Sequence, residues 1–221
     1  MDEGLFERLE AYAAKGILAM HMPGHKRGAG AAGYLAGLGA RLDITEIDGF
    51  DNLHAPEGIL RDAMARAAAL WGSRRAYFLV NGATGGILAG VRALTTRGDK
   101  VIVARNSHQA VYHALELMEL DAAYVLPAFD EVTGLPGSVT PESVEQALRA
   151  HPDARLVIVT SPTYDGAVSD IASIARAAHA RGVPLLVDEA HGAHLGFHPY
   201  FPGGAVRAGA DIVVQSVHKT L

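Results

Sequence analysis

Asp211-Ile212-Val213-Val214-Gln215-Ser216-Val217-His218-Lys219 is an apolar, strand-like run that ends in a small polar residue, a histidine and a lysine. Upstream, Leu185-Leu186-Val187-Asp188-Glu189-Ala190-His191-Gly192 is a second such run, ending in an acid. Short, nearly continuous apolar runs mark strands covered on both faces. Working outward, the same pattern predicts strands over 76–80, 100–104, 122–126, 156–160, 184–188 and 211–215. Helical spacing predicts helices between them, over 84–97, 107–119, 141–150 and 169–181. Thr140-Pro141 marks a helix start, and Gly182-Val183-Pro184 a helix stop. The alternation predicts an α/β fold, a three-layer, mainly parallel sheet with helices on both faces.

The N-terminal part differs. Residues 3–15 predict a short amphipathic helix with Leu5, Phe6, Leu9 and Tyr12 on one face. Residues 16–55 are rich in Gly, Pro and His and predict irregular structure, a length of loop that is often functional. Pro56 can open a helix in which Leu60, Ala63, Met64, Ala67 and Trp71 recur at helical spacing. The expected organisation is an N-terminal helix and arm over 1–55 and a major domain over 56–221.

The chain has 221 residues, 49% hydrophobic and 19% charged, enough for one sizeable core. A net charge of −5 gives no basic excess for nucleic acid or an anionic membrane surface. Cysteine is absent, so no disulfide framework or thiolate metal site is expected, which fits a reducing, cytoplasmic setting. No apolar stretch approaches the roughly 18 residues of a membrane span. The last five residues, Val217-His218-Lys219-Thr220-Leu221, carry no polar tail, and the expectation is a truncated major domain, the front part of a longer protein.

In parallel sheets ligands bind outside the carboxyl ends of the strands. Five predicted strand ends carry polar residues: Asn81-Gly82-Ala83-Thr84-Gly85-Gly86, Arg105-Asn106-Ser107-His108, Ser161-Pro162-Thr163-Tyr164, Asp188-Glu189-Ala190-His191 and Ser216-Val217-His218-Lys219. A lysine and an acid at two such ends can hold pyridoxal 5'-phosphate (PLP), the lysine as Schiff base and the acid against the pyridinium nitrogen. A partly desolvated lysine is also an amine nucleophile. The glycine turn opens a helix and suits an anion, but it reads equally as a tight strand-to-helix connection. It is neither a Walker loop nor a dinucleotide fingerprint. His108 is a helix-start residue in water or an imidazole stacked on a ring; spacing leaves both readings standing. Asp188-Glu189-Ala190-His191 spells a helicase motif, which fails without a Walker loop. Zinc at His191, His194 and His198 is disfavoured because the spacing after a strand is poorly constrained. No metal site is expected.

Seven segments in order resemble the major domain of the Orn/Lys/Arg decarboxylase family, PLP enzymes of fold type I. They are His21-Met22-Pro23-Gly24-His25-Lys26-Arg27-Gly28, Asp51-Asn52-Leu53-His54-Ala55-Pro56, Asn81-Gly82-Ala83-Thr84-Gly85, Arg105-Asn106-Ser107-His108, Ser161-Pro162-Thr163-Tyr164-Asp165-Gly166, Val187-Asp188-Glu189-Ala190-His191-Gly192 and Gln215-Ser216-Val217-His218-Lys219. The resemblance implies that Lys219 carries the cofactor, Asp188 pairs with its ring nitrogen and His108 stacks on the ring. It implies a phosphate cradle of Gly82, Ala83, Thr84, Gly85, Ser216 and His218, with Thr163 and His191 near the ring. Ala83 stands where members often carry a hydroxyl, and Asp51-Asn52 where they often carry two acids.

The implied reaction is decarboxylation of lysine, ornithine or arginine to a basic amine such as cadaverine, putrescine or agmatine. Catalysis would rest on Lys219, Asp188, His108 and His218, with Lys219 and His218 as candidate proton donors. The family also implies a homodimer or higher homo-oligomer for the full-length protein. The alternatives are another fold type I enzyme, an aminotransferase or a lyase, and a non-catalytic truncated product.

Overall fold

The computed structural model describes residues 4–28 and 37–221. Residues 29–36 of the expected irregular stretch, and Glu3 of the first helix, lie outside the described residues. The chain forms two compact units, Met1–Phe78 and Leu79–Leu221, so the division expected at 55/56 falls inside the first.

The first unit holds α1 (Leu5–Ala14) and α2 (Ile59–Trp71), with short 3₁₀ turns at Lys26–Gly28 and Ala40–Leu42. The expected apolar face of α1 is not a buried one: none of its residues is buried, and Phe6 is 61% exposed. The helix instead offers Tyr12 to a cluster of rings and cations. Phe50 meets that ring edge-on at 5.3 Å, the Arg27 guanidinium lies 4.5 Å from its centroid, and its hydroxyl pairs with His21 Nε2 at 3.0 Å. The first motif segment thus folds onto α1.

Helix α2 begins at Ile59 and not at Pro56, because Asp51 organises its start. Asp51 sits at φ +69°, and its Oδ1 accepts the N–H groups of Asn52 (2.9 Å) and Glu57 (2.8 Å). Its Oδ2 accepts those of Gly58 (2.8 Å) and Leu60 (3.1 Å). The first amides of a helix have no intrahelical acceptor, and this one carboxylate spans the junction. These bonds, that from Glu57 foremost, hold its carboxyl well below the usual aspartate range.

The second unit runs α3 (Gly82–Leu94), β1 (Lys100–Ala104), α4 (Gln109–Leu117), β2 (Asp121–Val125), β3 (Phe129–Asp130) and β4 (Leu135–Pro136). It continues through α5 (Pro141–Ala150), β5 (Leu156–Thr160), α6 (Ile171–His179), β6 (Leu185–Asp188), β7 (Ile212–Val214) and α7 (Val217–Thr220). The main sheet has the order β2-β1-β5-β6-β7, every adjacent pair parallel. Successive side chains on a strand point to opposite faces. Ile102, Val157, Val159, Leu185 and Val187 therefore pack on one side with α5 and α6. Val101, Val103, Leu156, Ile158 and Leu186 pack on the other with α3 and α4. The three layers follow from that alternation.

Two expectations change. Residues 76–80 are not a strand: among the described residues no strand pairs with them, and Tyr77, Phe78, Leu79 and Val80 are exposed. An apolar run without a ladder partner satisfies no strand hydrogen bonds. The β3–β4 hairpin was not anticipated, since two-residue strands carry no readable alternation.

Helix α3 lies close to the sheet through glycine. A Cβ on Gly86 would stand 2.6 Å from Leu79 Cδ1 and 2.9 Å from Val214 Cγ1. One on Gly90 would stand 2.9 Å from Leu186 Cδ1 and 3.2 Å from Ile212 Cγ2. Gly90→Val is expected to destabilise the fold by about 1–3 kcal/mol through overpacking, read from urea unfolding. Asp51→Asn is expected to lower the thermal midpoint at neutral pH. Because the folded pKa of Asp51 is depressed, its contribution is present above the unfolded value of about 3.9 and is lost as pH falls through the folded value. The gap between wild type and variant should therefore close in acid.

Candidate active site

The chain leaves β1 for β2 on one side and returns to β5 on the other, so the strand order reverses between β1 and β5. Ligand sites of open α/β sheets lie at such a switch point, outside the strand carboxyl ends. His108 follows β1, Thr163 follows β5, Asp188 ends β6, and Ser216 and Lys219 follow β7.

Asp188 is 2% exposed, and its Oδ1 accepts the Ala190 N–H at 3.1 Å. Burial pushes its carboxyl up, since a dehydrated carboxylate disfavours its charge. The Ala190 N–H, and then His108, Lys219 and His191, pull it part of the way back. These three side chains are therefore grouped electrostatically around the acid.

Lys219 lies on the short helix α7 and is exposed, so the desolvation expected of a strand-end lysine is not present. The turn of helix after Ser216 carries it out of the sheet. Its Nζ stands 3.3 Å from His191 Nε2. Burial is the first cause that lowers the His191 pKa, followed by the Lys219 charge, while Asp188 raises it. His191 is thus held towards the neutral imidazole. Tyr164 packs edge-on against it at 5.7 Å.

His108 takes the helix-start position. Its Nδ1 accepts the Ala110 N–H at 3.1 Å and caps α4, while its exposed ring adds to the field at Asp188. Thr163 is buried, and its hydroxyl accepts the Ala167 N–H at 3.1 Å. Gly82 opens α3 at φ +64°, without a side-chain cap. The Gly85 N–H donates to the Asn81 carbonyl at 3.2 Å, which leaves the first-turn amides of Gly82, Ala83 and Thr84 facing outward along the helix. Ser216 is buried, with its carbonyl accepting the Lys219 N–H at 3.1 Å, whereas Thr84 and His218 are exposed. Among the described residues, no side-chain hydrogen bond joins Thr84, Ser216 or His218 to the Asp188 group. His194 and His198 pack against Phe201 instead of joining His191.

Residues 3–221 match the Orn/Lys/Arg decarboxylase major domain. The chain belongs to this family. It is 40% identical over its whole length to an uncharacterized protein of Bacillus subtilis, YaaO, and 38% identical over 97% of its length to the arginine decarboxylase of the same organism. It spans 47% and 45% of those relatives, about half of each. Among solved structures, the constitutive lysine decarboxylase of Escherichia coli superposes with a TM-score of 0.80 at 22% identity, covering 98% of this chain and 34% of that one. Lysine decarboxylase A of Pseudomonas aeruginosa gives 0.78 at 23%, covering 97% and 32%. These likenesses establish the fold as the type I fold of PLP enzymes, the cofactor class of the family.

Two residues of the site went unread in the sequence. Glu189 and Gln215 are joined behind it, and strand alternation after Asp188 and Val214 is the signal that could have found them. The raised pKa of Asp188 gives a signed expectation. A carboxyl raised on folding contributes stability present below the unfolded value of about 3.9 and lost as pH rises through the folded one. Asp188→Asn should therefore raise the urea midpoint of the cofactor-free protein at neutral pH and leave it unchanged well below pH ~4, while weakening PLP binding.

Proposed function

We propose that the full-length protein is a PLP-dependent decarboxylase of a basic amino acid, with Lys219 as the cofactor lysine. The observation that carries this reading is the buried carboxylate of Asp188, driven up by desolvation and flanked by His108, His191 and the Lys219 amine. A buried acid of this kind favours a cationic partner, and a protonated ring nitrogen supplies one. The uncapped start of α3 supports the phosphate assignment, since free N–H groups and the helix dipole suit an anion. Two further polar atoms near the strand ends, Asn106 Oδ1 and Thr160 Oγ1, are buried without a hydrogen-bond partner, as a site shaped for a polar guest would leave them.

Bound PLP would supply the electron sink that accepts the electron pair left when the α-carboxylate departs as CO2. The chain's own residues would do the rest. Asp188 would hold positive charge at the ring nitrogen. The neutral His191 ring would orient the Lys219 amine through the Nζ–Nε2 contact at 3.3 Å and leave it to act as nucleophile. Lys219 Nζ or the His218 ring would then protonate the former α-carbon of the substrate. Four relatives of 35–38% identity are arginine decarboxylases, which makes arginine the first substrate to assay, ahead of lysine and ornithine.

Borohydride reduction of the full-length protein after incubation with PLP should place the pyridoxyl group on Lys219, as read by peptide mass spectrometry. Lys219→Ala should lose that modification and reduce CO2 release from arginine by at least about 10³-fold, the scale on which catalytic groups act. Substantial turnover by the variant would refute the assignment of the lysine.

A further inference from the structure

Glu189 is 1% exposed, one residue beyond the acid of the site. Alternation carried one residue past β6 sends its side chain to the face opposite Asp188. Its Oε1 accepts the Ala205 N–H at 2.7 Å, and its Oε2 accepts the Gln215 side-chain amide at 2.7 Å. Its own N–H donates to the Val214 carbonyl at 2.9 Å, extending the β6–β7 ladder. The chain is drawn tight around it: a Cβ on Gly192 would stand 2.6 Å from Glu189 Cγ and 2.6 Å from Pro162 Cδ. Burial pushes the Glu189 carboxyl up, and the Gln215 amide and Ala205 N–H bring it part of the way back. Both donors are neutral. An apolar pair of similar size would avoid the desolvation. What the acid and amide supply instead is a directional bond between two strand ends.

Those ends carry the two halves of the site. Asp188, the last residue of β6, precedes Glu189, and Ser216 follows Gln215 on the way to Lys219. We propose that Glu189 is a positioning residue for the cofactor site. Paired with Gln215 on the back of the sheet, it fixes the ends of β6 and β7 against each other and so sets Asp188 opposite the Ser216–Lys219 segment. The proposal rests on the reading of Lys219 and Asp188 as PLP residues.

The test uses the full-length protein with Glu189→Gln, Gln215→Glu, and the reversed pair Glu189→Gln/Gln215→Glu. PLP is titrated by its visible absorbance, the pH midpoint of the bound band is measured, and urea unfolding is followed in parallel. Each single variant should bind PLP about tenfold more weakly, the scale of one charge-assisted hydrogen bond, and should shift the pH midpoint. The reversed pair rebuilds a carboxylate–amide bond and should recover most of both. Singles that lose urea stability yet keep wild-type PLP affinity and an unshifted band would make Glu189 a brace of the fold alone and overturn the proposal. So would a folded reversed pair that recovers neither readout. If the singles do not fold, the reversed pair decides: a near-wild-type band supports the proposal and a missing one overturns it. Failure of the underlying reading is seen separately, as wild-type protein that yields no pyridoxyl-Lys219 on borohydride reduction.

Discussion

A carboxylate kept from water at the end of a strand is the constraint on which this site turns. Asp188 is pushed towards its neutral form by burial and pulled back by the amine and imidazoles around it. Placing an acid there has a cost that folding alone does not recover, because the unfolded chain would hydrate it freely. The sheet must therefore be stable for other reasons, and the hydrophobic layers on its two faces supply them. The acid is tolerated by the fold and made useful by whatever cation meets it.

The parallel sheet explains why so many polar residues meet at one edge. Every strand of the main sheet runs the same way, so every carboxyl end opens onto the same side. The chain reverses its order between β1 and β5, and the loops there diverge and leave room. Glycines in α3 let that helix settle on Leu186, Ile212 and Val214 and bring its amino end near the same edge. The first unit uses a different economy. Asp51 binds four backbone amides with one carboxylate, and Tyr12 gathers a histidine, an arginine and a phenylalanine, so that irregular chain is held by polar and aromatic contacts.

Much of this was legible in the sequence. The strands at 100–104 and 156–160 and the helix at 141–150 match the expected bounds, because fully buried apolar runs and a Thr-Pro start are strong local signals. The strands expected at 122–126, 184–188 and 211–215 and the helices at 84–97, 107–119 and 169–181 fall within a few residues. Residues 76–80 read as a strand because composition reports burial potential, while strand formation needs a partner that composition cannot name. The helix at Ile59 was misplaced for a related reason: its cap, Asp51, comes from eight residues upstream and binds through tertiary geometry. At the site, Asp188, His191 and Lys219 were read from motif order, and the structure brings them together. The exposure of Lys219 was not foreseen, because the turn of helix that carries it outward is too short to show periodicity. Glu189 was hidden by standing beside a residue with a more obvious role.

The strand ends also have a thermodynamic meaning. A molecule that touches the loops after β1, β5, β6 and β7 together can do so only when all four strands are aligned, and the unfolded chain offers it nothing comparable. Mass action then makes its concentration a term in the folding equilibrium, worth about 2.7 kcal/mol at a hundredfold excess over its dissociation constant. For a fold that holds two dehydrated acids side by side at one strand end, such a guest would also be a fastener, and starving the protein of it would loosen the sheet as well as empty the site.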